Sequence, residues 1–170
     1  TSDYLSTYGA FLIHCGATAM GGPGPTDKHP LHGELPNAPY RQAQLLVGAD
    51  RHGPYMGLTG LYRHRVAFSH HYVAQPTVWL HADSGRIRAE MTIRNLKHSP
   101  MELMYLAHIN FRPVDHARLV DTVPADALHM RVRAALPPQF TPSEAYRALL
   151  EAIRADPAIH KVMDPARAIH

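Results

Sequence analysis

From Arg86 to Asn95 the chain reads RIRAEMTIRN, with Ile87, Ala89, Met91 and Ile93 alternating with Arg86, Arg88, Glu90, Thr92 and Arg94. A period of two puts one set of side chains on a core and the other in water, which is the pattern of a half-buried antiparallel strand. Upstream, Val78 to His81 is followed by Asp83-Ser84-Gly85, a turn tripeptide that reverses the chain. The two runs therefore predict a hairpin, and a chain built around it is expected to be mainly β.

The rest of the chain agrees with that expectation. Tyr8 to His14 (YGAFLIH) is short, apolar and aromatic and reads as a buried strand. Arg41 to Val47 and Leu61 to Val73 have strand-like composition, and Met101 to Phe111 (MELMYLAHINF) reads as a more fully buried strand. Between Gly21 and Pro39 the segment GGPGPTDKHPLHGELPNAP is too dense in proline and glycine for any regular element. It predicts a long structured loop, and such loops on compact domains are often functional. Near the C-terminus, Thr141-Pro142-Ser143-Glu144 reads as a capping box, with Thr141 as N-cap and Ala145, Leu149, Ala152 and Ile153 at helical spacing. One helix is expected over 142–155, in a single domain over 1–170.

Composition excludes several classes. Hydrophobic residues are 45% and charged residues 18%, which suits a globular chain rather than a disordered one. The net charge of +3 comes from scattered basic residues, with no basic stripe of the kind that binds nucleic acid. No apolar run is long enough for a membrane span, and no signal-peptide pattern is present, so no membrane partner is expected. Cys15 is the only cysteine, which points to a reducing compartment and a cytoplasmic location.

The 14 histidines are the unusual feature, because histidine titrates near neutral pH and is the commonest metal ligand. His32 lies in the loop segment Leu31-His32-Gly33-Glu34-Leu35-Pro36-Asn37, where the surrounding prolines hold the backbone. His108 and Asn110 stand two apart near a strand end, so both point to one face, with Tyr105 and Ala107 on the other. His64, His70, His71, His14 and His29 could join His32 in a metal site, but the HxH spacing such sites favour is absent, and no metal or other cofactor is expected. Ser69 and Ser84 have no GxSxG elbow, Gly21 to Gly24 is not followed by a GK[ST] phosphate cradle, and Cys15 has no base beside it in sequence.

The stretch from Phe11 to Tyr40, in which "HCG" leads through a Gly/Pro loop into "LHG", resembles aldose 1-epimerase-like (galactose-mutarotase-like) proteins. So do RIRAEMTIRN and MYLAHINF with its "HIN". The resemblance runs from about Phe11 to Leu119 and is closest to an uncharacterised branch of that family. It implies an antiparallel β-sandwich of the galactose-mutarotase type (a supersandwich) with a carbohydrate cleft, binding a small-molecule sugar and epimerising it. His108 is then the acid toward the ring oxygen, His32 contacts sugar hydroxyls, and Asn110, Glu34 and Asn37 support the substrate. Family members are longer, and their general base is a Glu on a late strand. After the HIN strand the glutamates here are Glu144 and Glu151, both on the expected helix, so the base has no counterpart and the chain reads as part of a larger sandwich. Unpaired strand edges on such a partial sandwich predict self-association. The rival readings are a non-catalytic carbohydrate-binding domain on the same fold and a metal-dependent sugar isomerase.

Overall fold

A computed structural model describes residues 9–132, 136 and 141–167. The chain divides into two compact units, Thr1–Asn110 and Phe111–His170. The first is mainly β. Among the described residues it holds six strands: β1 (Leu12–Ala17), β2 (Arg41–Asp50), β3 (Gly53–Arg65), β4 (His71–His81), β5 (Ile87–Asn95) and β6 (Met104–Ile109). They form two antiparallel sheets, a pair β1-β6 and a four-stranded sheet in the order β2-β3-β4-β5.

The expected hairpin is present as β4 and β5, with Leu80 opposite Ile87 and Tyr72 opposite Asn95. Its first strand begins earlier than Val78 and runs through Pro76, a residue with no ladder N–H to give. The β3–β4 pairing accordingly lapses between Thr59↔Thr77 and Tyr62↔Ala74, and the Thr59 hydroxyl donates to the Pro76 carbonyl at 2.8 Å. Leu61 to Val73, expected as one strand, is two. The chain turns at Val66 to Ser69, with Phe68 in the left-handed region (φ 61°) and Val66 N–H donating to His70 O at 2.8 Å.

Residues on one face of the four-stranded sheet build the main core. Tyr62 and His64 of β3 stand across from Ala74 and Tyr72 of β4, which in turn face Ile93 and Asn95 of β5. Tyr72 and Ala74, both fully buried, pack with Ala17 of β1 and Leu35 of the loop, and Tyr62, Met91, Ile93 and Met101 close around them. The core thus uses only half of the alternating apolar set of β5, since Ile87 and Ala89 are exposed. The expectation that Met101 to Phe111 forms a more fully buried strand also fails. In β6 only His108 is half-buried and the other residues are exposed, since among the described residues β6 pairs with β1 alone. Of the expected first strand, Tyr8 lies outside the described residues, and the observed strand continues past His14 to Ala17.

A second small core forms on one face of β1, where Ile13 and Cys15 pack against Met20 and Leu31 of the Gly/Pro loop. The loop is held there by backbone hydrogen bonds: Gly16 N–H to His32 O and His32 N–H to Gly21 O, both 2.9 Å. Gly33 makes this approach possible. Its φ is +79°, and a Cβ there would lie 2.5 Å from Ala19 O and 2.6 Å from Gly16 O.

In the second unit the expected helix is α1, Glu144–Ala155. Its N-cap is Ser143 rather than Thr141, because the Ser143 hydroxyl reaches the N–H of Tyr146 at 3.2 Å. The half-buried stripe is Tyr146, Leu149, Leu150 and Ile153, at i, i+3, i+4 and i+7. Ala145 and Ala152, expected on that stripe, are exposed. Among the described residues no helix is long and apolar enough to cross a membrane.

Gly33→Ala is expected to cost about 2 kcal/mol or more, since it adds a steric clash to a left-handed strain. Gly53 also has positive φ (+104°) but has nothing within 4 Å of a Cβ, so Gly53→Ala should cost about 1 kcal/mol, the strain alone. Urea unfolding of the two variants measures the difference. Equal losses would show that the loop does not pack closely on β1.

Candidate functional site

The loop histidine and the strand histidine meet. His32 and His108 lie with ring centroids 6.3 Å apart and planes tilted by 53°. Each is placed by backbone. His108 pairs with Ile13, so it projects from the face of β1-β6 that the Gly/Pro loop covers. His32 sits in the left-handed region (φ 59°), its N–H and C=O both engaged as described above, which aims it from the loop toward that face. The structure therefore brings together the two residues that the sequence singled out from widely separated segments.

The other expected residues are placed differently. Glu34 does not accompany His32. Its Oε1 accepts from Tyr72 O–H at 2.5 Å and from Thr18 N–H at 3.2 Å, and its Oε2 accepts from the Thr18 hydroxyl at 3.0 Å. Three donors from β4 and the end of β1 make it a clasp between loop and sheets. Asn110, just past β6, donates through its amide to Ala10 O and through its backbone to Phe11 O, each at 2.8 Å, and so closes the end of the β1-β6 pair. Asn37 ends a short 3-10 turn, Leu35–Asn37.

A second cluster joins histidines marked in the sequence to tyrosines that were not. Tyr40, Tyr62, Tyr72, His64 and His70 are linked ring to ring: Tyr40–Tyr62 at 6.1 Å, Tyr62–Tyr72 at 6.2 Å, His64 stacked on Tyr72 at 5.1 Å and His64–His70 at 6.4 Å. Tyr62 O–H and His64 Nδ1 are 2.9 Å apart, and Ser69 Oγ and His70 Nδ1 are 2.7 Å apart. On the face of β1-β6 opposite His108, His14 Nδ1 meets Tyr105 O–H at 2.7 Å. The sequence marked His64 and His70 of this cluster, and the even spacing of Tyr62 and His64 puts them on one strand face, but it did not single out the tyrosines.

Burial dominates the electrostatics. It lowers His14 below the usual histidine range, and it lowers His64, where Glu34 opposes the effect and His70 adds to it. Tyr40 is pushed up to about 12, first by burial and then by the nearby Tyr105 and Tyr62 hydroxyls. Tyr72 is raised much further, by burial first and then by its hydrogen bond to the Glu34 carboxylate, which favours the protonated phenol. The Tyr72 proton is thus held as a donor to Glu34.

Among the described residues no three His, Cys, Asp or Glu side chains are grouped so as to hold a metal ion.

Tyr72→Phe leaves Glu34 without its shortest donor and should cost about 1–3 kcal/mol in urea unfolding. A loss below a few tenths would mean that the clasp contributes nothing. His14 and His64 take up protons more readily in the unfolded chain, where their pKa is near 6.5, than in the folded one. Stability present above that value should fall as pH drops below it toward the depressed folded values. His14→Gln and His64→Gln should each flatten the loss between pH 7 and pH 5. An unchanged pH dependence in both would remove these two groups as its cause.

Residues 1–117 match a protein family described as Domain of unknown function (DUF4432). No curated protein and no solved structure matches the chain.

Proposed function

The chain belongs to the DUF4432 family, whose description carries no activity, and we propose from its own residues that it is an aldose 1-epimerase-like protein that binds a sugar and interconverts its anomers. The observation that supports this reading is the His32–His108 pair, two imidazoles 6.3 Å apart between a backbone-clamped loop and a strand.

Opening a pyranose requires two proton movements. A base takes the anomeric hydroxyl proton, the bond from C1 to the ring oxygen breaks, and an acid delivers a proton to that oxygen. Rotation about the C1–C2 bond presents the other face of the carbonyl, and the reverse transfers close the ring. Imidazole can serve either transfer near neutral pH. In this reading His108 protonates the ring oxygen, and His32 holds the sugar hydroxyls beside it. The base is not assigned, because the glutamates after β6 are Glu144 and Glu151 at α1, while Glu34 is engaged by Thr18 and Tyr72. A second reading, consistent with this, is a carbohydrate-binding domain of the same architecture without catalysis. Either activity fits a cytoplasmic protein whose single thiol, Cys15, is free and buried. In both readings the ligand is a small sugar or sugar derivative rather than nucleic acid or a membrane. Self-association through open strand edges goes with both.

Exchange NMR of anomeric protons across a panel of aldoses separates the two. The epimerase reading expects accelerated exchange that persists with chelator and falls by about 10²–10⁴-fold in His108→Ala. Line broadening of a sugar without acceleration would favour the binding domain. Acceleration that His108→Ala leaves intact would overturn the assignment of the acid.

A further inference from the structure

Where the chain enters β2 the sheet is irregular. Arg41 stands opposite Leu61, but the pairing shifts between Arg41 and Gln44 before it resumes at Gln44↔Thr59. Gln42, within this bulge, has φ 51°, a left-handed conformation that a side chain such as glutamine rarely adopts. Bulges of this kind re-aim side chains and recur beside binding sites. Here the bulge opens a cavity of about 460 Å³ lined by Pro39, Arg41, Gln42, Leu61, Tyr62 and Arg63. That is within the usual size range of small-ligand sites, roughly 300–1,000 Å³.

The charge around this cavity is one-sided. Arg63 and Arg65 share a sheet face with His71 and Val73, and Arg94 stands on that face opposite Val73. Among the described residues none of Arg41, Arg63, Arg65 and Arg94 forms an ion pair with a carboxylate. Arg63 reaches only the ring of His71, at 3.2 Å. By contrast, Arg88 on the same face is paired with Glu90 and stacks over Trp79 at 5.0 Å. Two guanidiniums without acidic partners therefore line one cavity, together with the carboxamide of Gln42. Guanidinium groups match the planar, two-oxygen edge of carboxylates and phosphates.

We propose that this cavity is a binding site for the oxyanion of a small acidic ligand, a carboxylate or a phosphate ester, held by Arg41 and Arg63. It uses neither His32 nor His108, so it stands whether or not the chain epimerises sugars. Leu61, on the same sheet face as Arg41 and Arg63, supplies an apolar wall for the uncharged part of the ligand, and Arg65 and Arg94 on that face add a field that favours approach of an anion.

The test titrates the isotope-labelled full chain with inorganic phosphate and, separately, with acetate, following backbone amide shifts at residues 40–44 and 61–63. Saturable shifts with phosphate alone assign a phosphate ester, with acetate alone a carboxylate, and with both the shared oxyanion chemistry. Arg41→Gln and Arg63→Gln, both exposed positions, should each weaken the affinity about tenfold or more, as loss of a charge-assisted bond requires. Arg88→Gln should leave it unchanged. Failure of both anions to give saturable shifts would overturn the proposal. So would an equal loss in Arg88→Gln, which would mean that the whole sheet face attracts anions without a site.

Discussion

The carboxylate of Glu34 ties three separate parts of the first unit together. Its partners are the backbone and hydroxyl of Thr18, just past β1, and the phenol of Tyr72 in β4, while Glu34 itself belongs to the Gly/Pro loop. A partly buried carboxylate is costly unless its oxygens are satisfied, and three donors from rigid elements meet that requirement. Because Leu35, the next residue, is buried against Tyr72, Ala74 and Ala17, the polar clasp and the main core are adjacent and reinforce one another. Loss of either would free the loop, and with it the position of His32.

The same arrangement explains why the loop can be both proline-rich and well placed. Proline removes donors that a ladder would need, so the segment cannot satisfy itself by joining a sheet. It instead spends its remaining backbone groups on β1 and on itself, through Gly16 N–H to His32 O, His32 N–H to Gly21 O and Gly33 N–H to Pro30 O. Glycine at position 33 allows the close approach, and Met20 and Leu31 seal it with apolar contact to Ile13 and Cys15. His32 is thereby held by its main chain, with its imidazole facing His108.

Beyond this covered region the first unit presents two contrasting surfaces. One face of the four-stranded sheet carries Leu45, Val47, Met56, Leu58, Leu80 and Ile87, all exposed and all on paired strands. The opposite face carries Arg63, Arg65, Arg88 and Arg94. The alternation of β5 anticipated both, since its odd positions are apolar and its even positions are mostly arginine. It did not reveal that only Met91 and Ile93 would find a covering layer.

Periodicity and turn chemistry are local properties, and they were legible in the chain itself. The β character, the hairpin of β4 and β5, the irregular Gly/Pro loop and the helix near the C-terminus all follow from them. Local reading failed where a longer-range partner decided the outcome. The continuation of β4 through Pro76 depends on the Thr59 hydroxyl donating to the proline carbonyl, and the exposure of β6 goes with its having, among the described residues, β1 as its only strand neighbour. The motifs "LHG" and "HIN" marked His32 and His108 as residues of interest, but nothing local could place their rings side by side. Nor could it show that Glu34, two residues from His32, turns away to Tyr72. Which side chains meet across a sheet or beneath a loop is set by strand register and packing between distant segments, and those exist only once the tertiary structure has formed.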